Sequence, residues 1–253
     1  MSLKPISAAA FTAAALTSLR RVAEGQRAEV GAAATVFADA LGGDGVIQAF
    51  GTGHSESLAT EIAGRAGGFV PTNKIALRDL VIYGGEPPAL LSDAKLERDP
   101  ATARRLYELA APHPADAFVI ASNSGINGCV VEMAAVVKEH GHPLVAITSL
   151  SHGTRAESRH PSGKRLADHA DVVLDNGAPF GDSVLTLPGG GTACAVSSIT
   201  GALLVQQVVA EAIRLLLERG APPPVYLSAN IPEGDAHNAA LEARYAGRIR
   251  RGA

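Results

Sequence analysis

Residues 46–57, VIQAFGTGHSES, carry the decisive change of character in this chain. The first half is a short, nearly continuous apolar run after the breaker cluster GGDG at 42–45. Such a run suits a strand covered on both faces, as in a parallel sheet. The second half passes at once into two glycines, a threonine, a histidine and two serines, and then into a helical pattern. Strand, polar loop and helix in this order open a βαβ unit. The loop is either a tight turn or a cradle for an anion, built from backbone N–H groups at the start of a helix.

Working outward, the same apolar signature recurs in AFVIAS (117–122), PLVAITS (143–149) and DVVLDN (171–176), and FVPTNKIAL (69–77) is extended. Helical patterns separate these runs. One spans 55–66, with Leu58, Ile62 and Ala66 in an i, i+4, i+8 row. A second opens at Asp99–Pro100, an N-cap followed by proline at the first helical position. A third is CVVEMAAVVKEHG (129–141), and a long apolar helix over 197–220 closes at Gly220. Residues 6–40 predict one or two further helices with a break near Gly31. The expected fold is α/β: a three-layer α/β/α sandwich on a central parallel sheet of flavodoxin type, with an N-terminal helical extension. The expected organisation is an extension over 1–45, one domain over 46–220, and a polar tail over 221–253 packing on the domain or on a partner subunit.

Composition removes several function classes. Twenty-two basic against 25 acidic residues leave a net charge of −3 and no basic stripe, so no nucleic-acid partner is expected. Aromatics make up only 4% and Trp is absent, so Ala, Val, Leu and Ile must fill the core. Cys129 and Cys194 both fall in apolar helical patterns; they read as small core residues in a reducing, cytoplasmic setting. The Ala-rich stretch 6–19 has the look of a signal peptide, yet runs on into RRVAEGQRAEV without a cleavage site and reads better as helix. Residues 192–210 are uncharged over a bilayer-spanning length, but their Gln, Ser and Thr content suits a core helix, and no membrane partner is expected. No histidine or cysteine spacing meets a zinc pattern, so neither metal nor cofactor is expected.

In parallel sheets, ligands collect where strands end at their C-termini. Three loops qualify: 51–55, 122–128 and 149–155. The second, within ASNSGING (121–128), repeats the design of the first, with Ser122, Asn123, Ser124, Gly125 and Asn127 at a helix start. Helix-start N–H groups, the helix dipole and short polar side chains suit a phosphate, although Ser and Asn also serve as plain caps and turn residues. The candidate binding set is Thr52, Gly53, Ser55, Ser122, Asn123, Ser124, Gly125 and Asn127. A third dinucleotide glycine and a G-K-[ST] motif are both missing, so the anion expected is a monophosphate.

GTGHS after the first strand, SNSGIN after a later one, VAITS and ADVVLDN together resemble the sugar isomerase (SIS) domain over about 46–220. The N-terminal helices and YLSANIPEGDAHNAALEARYAGRI (226–249) resemble its UPF0309 branch. The resemblance implies a sugar phosphate as ligand, a Ser-x-Ser-Gly-x-Thr-like phosphate loop with Asn127 in place of Thr, and a homo-oligomer, dimer or tetramer. Aldose–ketose isomerisation needs a base, a proton donor and shielding from water. Glu61 in TEIAGRAGG is similar to the helix glutamate that serves catalysis in phosphoheptose isomerases; the alternative is a surface pair with Arg65. Those isomerases also carry a histidine on the last long helix, where this chain has none over 193–217. His54 is the first substitute, with His152, His237 and Asp182 as further candidates. The implied activity is a phosphosugar isomerase through Glu61 and His54; a phosphosugar lyase and a non-catalytic sensor are the alternatives.

Overall fold

The computed structural model describes residues 6–93 and 95–250. In chain order they form α1 (Ala8–Gly25), α2 (Arg27–Gly42), β1 (Ile47–Gly51), α3 (Glu56–Ile62), β2 (Thr72–Ile75), α4 (Asp79–Ile82), α5 (Pro100–Ala110), β3 (Ala117–Ala121) and α6 (Gly128–Glu139). Next come β4 (Leu144–Thr148), α7 (Leu150–Gly153), β5 (Val172–Asp175), β6 (Ser183–Thr186), β7 (Thr192–Ala195), α8 (Ser197–Glu218) and α9 (Gly234–Arg244).

The first five strands make one parallel sheet in the order β2-β1-β3-β4-β5. Alternating side chains serve its two faces. Ile47, Ala49, Val119, Val145 and Ile147 join α2, α3 and α8 in one core. Phe50, Phe118, Ile120, Leu144 and Ala146 join α5 and α6 in the other. Burial on both faces is what the unbroken apolar runs encode. The α/β/α architecture and the N-terminal helical pair are therefore as expected. Among the described residues, α8 alone is long and apolar enough to cross a membrane, and its Leu204, Val205, Val208 and Ala212 face lies inside the first core.

Local expectations fail in three places. The N-terminal helices break at Gln26, not near Gly31. Gly31 costs a helix only about 1 kcal/mol relative to Ala, less than the packing of Val30, Ala33, Ala34 and Phe37 beside it returns. Gln26 leaves the helix and takes a hydrogen bond from Asp175 N on its side-chain oxygen at 2.8 Å. The helix predicted over 55–66 stops at Ile62, because Ala63 is extended and the Gly64 N–H turns to Thr72 Oγ1 at 3.3 Å; Ala66 is exposed. Residues 183–195 form an antiparallel hairpin instead of running into the long helix, which puts Cys194 on the surface while Cys129 is buried as expected. The tail contains α9 and packs Tyr226 and Tyr245 against Val46 and Val70.

Candidate functional site

The chain leaves β1 toward β2 on one side and resumes at β3 on the other, so the sheet's switch point lies between β1 and β3. Loops diverge there and open a crevice at the strand C-termini. The residues 52–55 and 122–127 are the two walls of that crevice.

The first wall turns immediately. A Cβ on Gly51 would sit 2.6 Å from the Ser55 carbonyl oxygen, so only glycine lets the loop fold back on its own strand. Ser55 N donates to Thr52 O at 3.2 Å, and residues 53–55 form one 3-10 turn leading into α3. Thr52 is buried, Ser55 half-buried and His54 exposed. The Thr52 and Ser55 hydroxyls and the His54 ring have no hydrogen-bond partner among the described residues.

The second wall is more heavily braced. Ser122 is buried, and its hydroxyl accepts from Gly125 N at 3.1 Å, an ST-type turn. The Asn123 carbonyl accepts from Ser149 N at 3.0 Å, and its amide oxygen accepts from Asn176 at 3.0 Å. Asn127 heads α6 without capping it through its side chain. Instead its amide nitrogen donates to Glu97 at 3.1 Å while its oxygen accepts from Arg159 at 2.8 Å. The Ser124 hydroxyl, half-buried, has no partner among the described residues. Thus Ser122 and Asn123 hold the loop in shape, whereas Ser124, Thr52 and Ser55 keep open donors.

The other candidates separate. Glu61 forms an ion pair with Arg65 and accepts from Gln206 Nε2 of α8 at 2.6 Å. It lies six residues beyond Ser55, about 9 Å of helix rise from the first wall. His152 stands on the neighbouring β4 loop, its ring tilted against Phe180 with centroids 4.8 Å apart and its Nδ1 accepting from Gly181 N at 3.3 Å. Asp182 caps α8: its carboxylate accepts from Val196 N at 3.2 Å, Ser197 N at 2.8 Å and Ser197 Oγ at 2.6 Å. His237 bonds the Val225 carbonyl at 3.0 Å, and Val225 pairs with Phe69 ahead of β2. That position is at the strands' N-terminal end, away from the loops of its own chain.

Sequence reasoning missed Glu97, Arg159 and Gln206. Glu97 and Arg159 lie in irregular segments without periodicity, and Gln206 is one polar residue on a long apolar helix, so nothing in the sequence pattern marks them. Among the described residues no group of three or more His, Cys, Asp or Glu side chains is arranged to hold a metal. A separate groove of about 800 Å³ lies between α1, α2 and α8, lined by Arg20, Glu24, Arg27, Glu211 and Arg214. Its charges are of both signs and converge on no single ligand chemistry.

The SIS domain family model matches residues 10–149. A UPF0309 protein of Listeria monocytogenes is 41% identical over 218 residues, 86% of this chain and 88% of the relative. A UPF0309 protein of Geobacillus kaustophilus is 36% identical over 218 residues, 86% and 85% of the two chains. Among solved structures, phosphoheptose isomerase from Neisseria gonorrhoeae superposes with a TM-score of 0.55 at 18% identity, over 81% of this chain and 96% of that one. A phosphoheptose isomerase from Francisella tularensis gives 0.50 at 14% identity, over 81% and 95%. At these identities the structural likeness speaks for the fold alone. The sequence matches go further: the chain is a SIS-domain protein and belongs to the UPF0309 family.

Proposed function

We propose that this chain is a sugar-phosphate isomerase. The observation that carries the reading is the pair of donor-bearing loops at the switch point, each leading into a helix, whose Ser124, Thr52 and Ser55 hydroxyls have no partner among the described residues. Backbone N–H groups there, together with the positive end of the α6 dipole, favour a phosphate dianion. The sugar then extends from the phosphate along the crevice toward α3.

Isomerisation requires a base to take the proton from the carbon beside the carbonyl. The C–H electron pair becomes the C=C bond of an enediol, and the carbonyl oxygen takes up a proton from a donor. A proton then returns to the former carbonyl carbon while the neighbouring enediol hydroxyl gives up its proton and becomes the new carbonyl, which restores the donor, so no oxidant or cofactor is consumed. Glu61 is assigned as the base and His54, exposed at the crevice mouth, as the proton donor. Glu61 would have to exchange its Arg65 and Gln206 contacts for substrate. A homo-oligomer would place further groups, His237 among them, near the crevice of a neighbouring copy.

Two observations favour a second reading, a phosphosugar sensor without chemistry: α8 carries no histidine, and Gln206 donates to the carboxylate of Glu61. Deuterium exchange separates the two. A thermal-shift panel of glucose, glucosamine, ribose and sedoheptulose phosphates identifies the ligand, since saturation at 100 times Kd adds about 2.7 kcal/mol of stability. With that ligand, the isomerase reading expects solvent deuterium to enter the substrate's C–H bond, and expects Glu61→Gln to bind ligand while losing exchange. Binding without any exchange would establish the sensor; unimpaired exchange in Glu61→Gln would remove Glu61 from the mechanism.

A further inference from the structure

Between the two walls stands a carboxylate that the isomerase chemistry above does not use. Residues 96–98 form a short 3-10 turn in the long connection before α5. Leu96 is buried with Ala103, Leu106 and Val130, which anchors the turn in the second core. The Arg98 carbonyl lies so close to the start of α6 that a Cβ on Gly128 would meet it at 2.2 Å. Glycine at 128 therefore lets this turn press onto the head of the helix. Glu97 is thereby held across the crevice: one carboxylate oxygen accepts from Asn127 Nδ2 at 3.1 Å, and the other lies 3.6 Å from where a Cβ on Gly53 would be.

Glu97 thus bonds the second loop and lies beside the first, and it forms no salt bridge among the described residues. The guanidinium next to it, Arg159, binds the far end of the Asn127 amide and so turns the amide nitrogen toward Glu97. A carboxylate near a helix N-terminus gains from the dipole whatever its purpose. Its placement against Gly53 adds something that a capping role does not require, because it sets a fixed negative charge at the edge of a crevice suited to anions. A bare phosphate entering there meets like-charge repulsion, strengthened by the reduced local dielectric. A phosphate ester of a polyol meets the same repulsion but brings hydroxyl groups, and hydroxyls donating to a carboxylate make strong, charge-assisted hydrogen bonds.

We infer that Glu97 is the specificity residue of this crevice: it accepts hydrogen bonds from the sugar's hydroxyls and penalises inorganic phosphate. The inference rests on the proposal that the loops at 52–55 and 122–127 hold a sugar phosphate. It assigns a role to the polyol end of the ligand, which the phosphate loops alone cannot recognise.

The test is calorimetric titration of wild type, Glu97→Gln, Glu97→Ala and Ser124→Ala with inorganic phosphate and with the phosphosugar selected by the panel. Unliganded melting temperatures are read alongside to check folding. Glu97→Gln is expected to bind inorganic phosphate about tenfold more tightly, a gain of about 1.4 kcal/mol. The wild-type preference for the phosphosugar over inorganic phosphate should fall at least tenfold in the same variant. Glu97→Ala should move both quantities in the same direction, which excludes an effect peculiar to the glutamine amide. Unchanged phosphate affinity and unchanged preference in both Glu97 variants, with Ser124→Ala still weakening phosphate, would overturn the role of Glu97 alone. If Ser124→Ala leaves inorganic phosphate binding untouched, the anion is not in these loops and the underlying reading fails with it.

Discussion

The two ends of the parallel sheet both collect polar residues, but they treat them in opposite ways. At the strand N-termini, Asp116 is 2% exposed and its carboxylate takes four hydrogen bonds. It accepts from Val46 N at 2.8 Å, Gln48 Nε2 at 2.9 Å, His113 N at 3.0 Å and Arg248 Nη2 at 2.9 Å. Arg248 comes from the C-terminal tail, which also ties its backbone to Asn73, so this end is sealed by the chain itself. At the strand C-termini, Thr52, Ser55, Ser124 and His54 are left without partners among the described residues. Thr52 is buried, Ser55 and Ser124 are half-buried and His54 is exposed, so this end presents unengaged polar groups at the loop surface. The sealed end is structural and the open end is the candidate site.

The contrast can be broken most forcefully at the sealed end. Asp116→Ala strands the Val46 and His113 amides and the Gln48 side chain in a buried place. The expected loss is about 3–5 kcal/mol in urea denaturation, with the loops' ligand affinity per folded molecule unchanged. A loss below about 1 kcal/mol would mean that the tail, not the carboxylate, holds this end together.

Ser124→Ala should behave in the opposite way. Stability stays within about 0.5 kcal/mol of wild type, as for other substitutions away from the core. Affinity for a phosphorylated sugar drops roughly ten- to hundredfold, the worth of one hydrogen bond to a charged group. The free sugar should lose far less, and equal losses for both would show that the loop holds no phosphate.

The smallest effect is a pH dependence that belongs to the sealed side. His142 is 3% exposed; its Nδ1 bonds the Asp116 carbonyl at 3.0 Å and its Nε2 meets Tyr107 Oη at 2.9 Å. A carbonyl can only accept, so the ring is read as the Nδ1–H tautomer with Nε2 accepting from tyrosine. Burial disfavours the charged ring and lowers its pKa below the ordinary 6.5. Below that pH the unfolded chain takes up a proton that the folded chain refuses, so stability declines as pH drops from 7.5 to 5.5. His169 is shifted in the same direction, also by burial, and adds to the decline. Urea melts across this range should show the fall, and His142→Gln should flatten part of it. An identical slope in that variant would assign the whole effect elsewhere.

Legibility follows the range of the interactions. Strands β1, β3 and β4 announce themselves because burial on both faces demands unbroken apolar runs, β5 keeps a short apolar run at the half-buried sheet edge, and the Asp99–Pro100 start of α5 is local capping chemistry. The phosphate-type loops are legible for the same reason, since strand, small polar residues and helix follow one another in sequence. The hairpin at 183–195 was not, because its strands lack alternation: Thr192, Cys194 and Ala195 are all exposed. It is held by the 189–191 glycine turn and by contacts of Val184 with Phe11 and Ala15 of α1, about 170 residues away in sequence.

The role of Asp182 shows the same limit from another side. An aspartate in PFGDS carries no mark of its partner, and only the hairpin's return brings the head of α8 back to its carboxylate. For Glu61, by contrast, the i, i+4 pair with Arg65 is local and was visible, while Gln206 is reached only through the packing of α3 on α8.

Sequence alone therefore determined the α/β class, the layered sheet and the two loops whose small residues suit an anion, because each rests on neighbours along the chain. Tertiary structure decided which polar residues are consumed by the fold and which stay open. It placed Glu97 across the crevice, Asp182 on a helix cap and Asp116 under the tail. These are contacts between segments far apart in sequence, set by strand order and close packing, and no local pattern encodes them.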